Sequence, residues 1–223
     1  MDLRDSTRVR QTIERLVGDR SIVSKVDGST HAIFPVAISS LEGEALRDWV
    51  IRERAVHTVE VGLGYAVSTL FIGEGLLSTG LASPSHVAID PHQNDRFKNC
   101  GLQTVADAGL ADLIDHYAEE SQTVLPALLR EGASFDLAFV DGNHRFDAVF
   151  VDLYYLGRLL RPGAIVFIDD YQLPGVARAA AFFLTNLRWR LESVSSSDDL
   201  HQWAVLRTSE TPDSRPFTYF ADF

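Results

Sequence analysis

Short apolar runs alternate along most of the chain with segments of helical periodicity. Six nearly continuous apolar runs predict strands, at residues 56–61, 86–90, 113–118, 135–140, 164–168 and 202–206. Such runs are typical of strands that are buried on both faces of a parallel sheet. Four intervening segments repeat apolar residues at three- and four-residue spacing, at 66–77, 122–130, 148–160 and 176–187. The pattern therefore predicts an α/β fold in which helices cross over a doubly wound sheet.

The two ends of the chain depart from this alternation. Residues 189–194 and 202–206 flank the polar stretch at 195–199, which predicts an antiparallel hairpin and a mostly parallel sheet of seven strands. A helix begins at Leu41, and the residues before it include Gly28 and Pro35. We therefore expect a cap or lid at residues 1–40, the main domain at 41–208 and a tail at 209–223.

Charge and composition narrow the classes of partner. The chain has 31 acidic and 20 basic residues, a formal net charge of −11, which disfavours binding to nucleic acid. Its first twenty residues carry charges throughout, so neither a secretory signal nor a membrane anchor is predicted. The single Cys100 fits a reducing compartment. These features predict a cytoplasmic protein, they are compatible with a small-molecule substrate, and they leave a homodimer open.

A glycine turn follows the first predicted strand of the main domain. The segment VEVGLGYAVSTL at 59–70 places Gly62 and Gly64 between that strand and a helix, where nucleotide-type ligands bind in such sheets. Any tight turn also uses glycine, so the turn alone is weak evidence. A dinucleotide fingerprint needs Gly or Ala at the sixth position, where this chain has Val67. The turn therefore disfavours NAD.

Two carboxylates accompany the turn. Glu60 is expected to face the ligand cleft, where it repels a pyrophosphate and attracts the ammonium and sulfonium of S-adenosylmethionine; the alternative is a solvated side chain. Asp90 ends the second strand of the domain, a position suited to accepting ribose hydroxyl protons, although acidic residues also cap helices there. The pair favours S-adenosylmethionine as the cofactor.

Three aspartates close two later strands. Asp141 follows one apolar run, and Asp169 with Asp170 follows the next. If these strands are parallel neighbours, their carboxyl ends lie about 4.8 Å apart and the carboxylates converge. Mg²⁺, or another divalent cation, relieves the repulsion and leaves positions for substrate oxygens, whereas simple turn capping is the alternative. His144 is a candidate acceptor for a hydroxyl proton, or else a residue that orients the loop.

The segments at 59–71 and 135–171 resemble the metal-dependent small-molecule O-methyltransferases, which include catechol, caffeoyl-CoA and antibiotic-tailoring enzymes. The likeness spans roughly residues 30–208. It implies a Rossmann-like methyltransferase fold, transfer of a methyl group from S-adenosylmethionine to a hydroxyl, assistance by Mg²⁺, and a role in secondary metabolism. Matching cofactor positions are Glu60, Gly62, Gly64, Ser68, Asp90, Ser121, Gln122 and Asp141. Matching metal ligands are Asp141, Asp169 and Asp170.

The loop DGNHR at 141–145 departs from these families. Asn143 stands where the tailoring enzymes carry a second acidic residue, and the lysine of catechol-type enzymes is missing near His144. His144, beside Asp141, is therefore the catalytic base candidate. A nucleotide-binding oxidoreductase and a catalytically silent protein that binds S-adenosylmethionine are the alternative functions.

Overall fold

The computed structural model describes residues 3–196 and 201–223, and within them the chain divides into two compact units, Met1–Glu120 and Ser121–Phe223. The first unit contains helices α1 (Leu3–Asp19), α2 (Ser40–Arg52), α3 (Val67–Thr79) and α4 (Cys100–Asp107), and strands β1 (Ser21–Val23), β2 (Thr30–Ala32), β3 (His57–Val61), β4 (Ser85–Ile89) and β5 (Ile114–Tyr117). The second contains α5 (Ser121–Glu131), α6 (Phe146–Leu159) and α7 (Pro174–Asn186), and strands β6 (Phe135–Val140), β7 (Leu160–Ile168), β8 (Arg190–Val194) and β9 (Ala204–Arg207).

In the first unit, β4 pairs in parallel with β3 on one side and with β5 on the other. Helix α3 is the most buried helix of this unit, because α1 and α2 both pack against it. The contact with α2 is close: a Cβ atom at Gly43 would lie 2.1 Å from the Phe71 ring, so only glycine fits at that position. β1 and β2 form a separate antiparallel pair.

In the second unit, β6 and β7 are parallel, while β9 runs antiparallel to both β7 and β8. The seven main strands have the order β5-β4-β3-β6-β7-β9-β8 in one sheet. The predicted α/β class, the mostly parallel seven-stranded sheet and its antiparallel C-terminal hairpin are therefore confirmed. Of the predicted polar stretch between β8 and β9, residues 197–199 lie outside the described part of the chain.

The N-terminal forty residues contain a helix that the sequence pattern did not predict. Val9, Ile13 and Leu16 lie on one face of α1 and are almost completely buried, which gives this charged helix an apolar stripe. The short hairpin of β1 and β2 follows it. Helix α4 was also not predicted. Among the described residues, no helix combines the length and apolarity that a membrane crossing requires.

Candidate active site

The glycine turn joins β3 to α3 through three residues with positive φ. Gly62 has φ of 101°, Gly64 of 50° and Ala66 of 65°, and Ala66 is the residue that precedes the helix. The left-handed conformation is costly for alanine and free for glycine. Gly62 N donates to Ile89 O at 2.9 Å, so the turn is held against the end of β4.

Glu60 lies inside the protein. Its side chain is fully buried, Ser68 Oγ donates to Oε2 at 2.8 Å, and Thr69 Oγ1 donates to Oε1. His86 Nε2 lies 3.1 Å from Oε1, at an angle outside hydrogen-bond geometry, while its Nδ1 is 2.8 Å from Thr58 Oγ1. The burial of Glu60 excludes the solvated alternative, and a role of this residue toward the cofactor stays a prediction. The carboxylate fastens the first turn of α3 to β3, where negative charge suits a helix N-terminus.

Asp90 is 4% exposed and accepts hydrogen bonds from the turn. Gly64 N donates to Oδ2 at 2.8 Å, and His92 N donates to Oδ1 at 2.7 Å. A third donor, Gln93 Nε2, lies 3.0 Å from Oδ2. Asp90 is therefore hydrogen-bonded directly to the glycine turn.

The three aspartates of the second unit follow the paired ends of β6 and β7. Val140 is in register with Ile168, and Asp169 N donates to Val140 O at 3.0 Å. This pairing fulfils the condition on which convergence of the carboxylates was predicted. Asp169 and Asp170 are buried, and Asp170 has φ of 54°. Its backbone N–H donates to Asp169 Oδ1 at 2.6 Å, which holds the Asp169 side chain against the backbone of Asp170.

His144 bridges two of these carboxylates. Its Nε2 lies 3.2 Å from Asp141 Oδ1, and its Nδ1 lies 2.9 Å from Asp170 Oδ2. Hydrogen bonds to Asp141 and Asp170 raise the pKa of His144 to about 10. The same contact with His144 lowers the pKa of Asp170 to about 2. Burial raises the pKa of Asp141 to about 7, and the charges of Asp169 and Asp170 act in the same direction. The imidazolium therefore neutralises a crowded anionic cluster.

Two residues of this cluster were not predicted. His201 Nδ1 lies 3.0 Å from Asp170 Oδ1, and Gln172 Nε2 donates to the same oxygen at 2.6 Å. The segments that carry them are joined, because Gln202 N donates to Gln172 Oε1 at 2.7 Å and Tyr171 N donates to Gln202 O at 2.6 Å. No local motif marks His201, because its partner lies 31 residues earlier in the chain.

The cluster offers ligands for a divalent cation. Two groups have ligand atoms within 4.8 Å of one another: Asp141, His144 and Asp170, and Asp169, Asp170 and His201. Carboxylate oxygens suit Mg²⁺, and the imidazole nitrogens also suit Mn²⁺ or heavier ions. Burial and then the charges of Asp169 and Asp170 raise the pKa of Asp141, so these gathered carboxylates fit a cation.

The sequence-predicted residues are thus gathered within each unit. Glu60 is joined to Ser68 in the first unit, as Asp90 is to Gly64. The second unit gathers the three aspartates and His144. Half-buried Ser121 and exposed Gln122 open α5.

A family model described as a methyltransferase domain matches residues 59–171, half of the chain. No curated protein matches the sequence. Among solved structures, the O-methyltransferase TomG from Streptomyces achromogenes, involved in tomaymycin synthesis and bound to S-adenosylmethionine, has a TM-score of 0.68 at 18% identity, covering 94% of this chain and 91% of that one. An O-methyltransferase from Bacillus cereus with S-adenosylhomocysteine gives 0.69 at 14% identity, covering 94% and 92%. The Podospora anserina methyltransferase PaMTH1 gives 0.65 at 17%, covering 91% and 88%.

Proposed function

Because the chain belongs to the methyltransferase domain family, we propose that it transfers the methyl group of S-adenosylmethionine to a hydroxyl of a small molecule, of the natural-product, catechol or sugar type. The observation that carries the proposal is the cluster of Asp141, Asp169, Asp170 and His144 at the ends of β6 and β7. Buried carboxylates gathered around a histidine are suited to a metal-assisted deprotonation. The O-methyltransferases with similar folds support this choice of reaction.

The first unit supplies most of the proposed cofactor contacts. The backbone at Gly62 and Gly64 receives the methionine end together with the Ser68 hydroxyl, and Asp90 receives the ribose. Ser121 and Gln122, at the start of α5, are the proposed neighbours of the adenine ring. Asp141 is the last of the proposed cofactor contacts. Glu60 acts indirectly: its carboxylate is occupied by Ser68 and Thr69, so it holds the cofactor-binding turn in place.

Asp141, Asp169 and Asp170 are the proposed ligands of Mg²⁺ or another divalent cation. Bound there, the cation lowers the pKa of an acceptor hydroxyl. The protein's own contribution is to orient these carboxylates: Asp169 receives the N–H of Asp170, and Asp170 is held by Gln172 and His201. This fixed arrangement favours alignment of the acceptor oxygen for in-line transfer.

His144 is the proposed general base. The acceptor oxygen forms its bond to the methyl carbon as the carbon–sulfur bond breaks, the sulfonium becomes a thioether, and the hydroxyl proton passes to an imidazole nitrogen of His144. That nitrogen must first be free of its own proton. The contacts with Asp141 and Asp170 favour the protonated ring, so release of one contact precedes proton transfer.

The test of the metal site replaces Asp169 with alanine. The Asp169→Ala variant is expected to lose metal-dependent turnover while it still binds S-adenosylhomocysteine, because the proposed cofactor contacts do not include Asp169. Asp147→Ala is the matched control, since Asp147 is an exposed aspartate at the start of α6. Methylation that persists in EDTA would remove the metal from the proposal.

Calorimetry with two ligands tests the cofactor. Binding of S-adenosylhomocysteine without binding of NADH is expected, because Val67 breaks the dinucleotide pattern. Binding of NADH alone would favour an oxidoreductase. Binding of S-adenosylhomocysteine without turnover over a broad panel of hydroxylated acceptors would instead identify a silent cofactor-binding protein.

A further inference from the structure

Gln93 follows β4 and lies between the glycine turn and Asp90. Its side-chain nitrogen donates to two acceptors, Gly64 O at 2.8 Å and Asp90 Oδ2 at 3.0 Å. The residue is 2% exposed, and its backbone carbonyl accepts from Asn99 N at 2.6 Å. One amide thus spans the turn and the carboxylate.

The orientation of this amide is fixed by its neighbours. A flipped amide would place Oε1 against Gly64 O and Asp90 Oδ2, both of which are acceptors. In the orientation observed, Oε1 is buried and receives no hydrogen bond from the described part of the chain. An unsatisfied buried acceptor is unfavourable for folding. The two hydrogen bonds of the amide nitrogen therefore offset the cost of the unsatisfied Oε1.

Helix α4 closes over the same amide. A Cβ atom at Gly101 would lie 2.4 Å from Gly64 O and 2.7 Å from Gln93 Oε1. Real Cβ atoms do not approach so closely, so the glycine permits the helix to pack directly on Gln93 and on the turn. The Gln93 side chain therefore has little room to leave its position.

The hydrogen bonds of Asp90 divide unequally between its two oxygens. Oδ2 accepts from both Gly64 N and Gln93 Nε2, whereas Oδ1 accepts, among the residues that the structure describes, only from His92 N. A carboxylate has about four acceptor positions, two on each oxygen. The remaining position is therefore on Oδ1.

We propose that Gln93 is a positioning residue for the cofactor: it holds Asp90 Oδ2 against the glycine turn, so that the carboxylate keeps one orientation toward the ribose of S-adenosylmethionine, with its open acceptor position on Oδ1. This inference rests on the proposed role of Asp90. Without Gln93 the carboxylate keeps its two backbone donors, Gly64 N and His92 N, but loses the side-chain donor on Oδ2, so the acceptor offered to the ribose is held less firmly.

The test measures the Kd of S-adenosylhomocysteine and of its 2′-deoxy and 3′-deoxy analogues by calorimetry. In the wild-type protein, at least one deoxy analogue is expected to bind about tenfold more weakly than the parent, which corresponds to about 1.4 kcal/mol. In Gln93→Met, the parent is expected to bind about tenfold more weakly, and the discrimination against the sensitive analogue is expected to shrink.

Two further variants define the comparison. Gln93→Glu keeps the shape of the side chain but turns an oxygen toward Asp90 Oδ2, so it is expected to weaken binding more than Gln93→Met. Gln103→Met is the control, because Gln103 also spans two backbone groups of the first unit, at Val23 and Lys25, and should bind all three ligands as the wild type does.

Three results would overturn the inference. Parent binding in both Gln93 variants that equals the wild type removes any role for the amide. An equal loss for all three ligands makes the role merely structural. Finally, Asp90→Ala tests the ribose role of Asp90 separately from the role of Gln93. If Asp90→Ala binds the parent normally, the ribose role of Asp90 is wrong and the inference about Gln93 is wrong with it. If Asp90→Ala binds weakly while the Gln93 variants bind normally, only the inference about Gln93 is overturned.

Discussion

Replacement of Glu60 should destabilise the protein although Glu60 is proposed to touch no ligand directly. The carboxylate is fully buried and accepts hydrogen bonds from Ser68 and Thr69 in the first turn of α3. Ser68 and Thr69 are themselves 5% and 0% exposed, so water does not readily replace the carboxylate as an acceptor for their hydroxyls. Glu60→Ala leaves both without an acceptor, whereas Glu60→Gln keeps one carbonyl oxygen and removes the charge.

The burial of these hydroxyls sets the size of the effect. Each buried donor left without an acceptor costs about 1–3 kcal/mol, so Glu60→Ala is expected to lower the free energy of unfolding by about 2–6 kcal/mol. Glu60→Gln loses mainly the charge assistance of the two bonds, about 1 kcal/mol. For a chain of this length 1 kcal/mol corresponds to about 2–4 °C in Tm. The Tm should therefore fall by about 2–4 °C for Glu60→Gln and by about 4 °C or more for Glu60→Ala.

Differential scanning calorimetry checks both values, and titration with S-adenosylhomocysteine should show weaker binding in both variants because the turn is loosened. Glu44→Gln is the control, since Glu44 is an exposed residue of α2 whose Tm should match the wild type. A Glu60→Ala protein with the wild-type Tm, or one more stable than Glu60→Gln, would refute the interpretation of Glu60 as a buried fastener.

Three other predictions concern stability. The pKa of His144 is raised from 6.5 to about 10, so the stability that its ion pairs contribute is complete below about pH 6.5 and is lost as the pH rises toward 10. In EDTA the Tm should therefore fall between about pH 6.5 and 10, and His144→Asn should show a flatter dependence of Tm on pH. A Tm that rises over this range would contradict the ion pairs. Asn186 both donates to and accepts from the backbone of Ala221 at 2.9 Å, so these hydrogen bonds hold the C-terminal tail. Asn186→Ala should therefore speed proteolysis of the tail, which mass spectrometry measures, and an unchanged cleavage rate would contradict this role of Asn186. Gly43→Ala forces a Cβ atom into the Phe71 ring and should lower the free energy of unfolding, measured by chemical denaturation, by about 1–3 kcal/mol. An unchanged free energy would mean that α2 and α3 can move apart without cost.

The sequence was most informative about the sheet. Strand β6 begins and ends at the predicted residues, β3 differs by one residue at its start, and β4 and β5 differ by one residue at each end. For β4 and β6 the agreement arises because a strand buried on both faces leaves a mostly apolar run. Helix α1 escaped prediction because its apolar stripe is narrow among many charged residues. Helix α4 has only eight residues, too few for a clear periodic signal.

Local sequence also determined where the chemistry-bearing residues stand. A glycine turn after β3, Asp90 after β4, and aspartates after β6 and β7 follow from strand ends, which are local features of the chain. The partners of these residues were decided only by the tertiary structure. Gln93 reaches back 29 residues to Gly64, and His201 reaches back 31 residues to Asp170.

The same division applies to Glu60. Its place on β3 could be predicted, but the direction of its side chain depended on which donors the neighbouring helix and strand would bring to it. Ser68 and Thr69 of α3 donate to the carboxylate and hold it inside the protein, and His86 of β4 lies beside it. Side-chain hydrogen bonds of this kind form between segments that meet only on folding, and a buried carboxylate is stable only where such donors surround it.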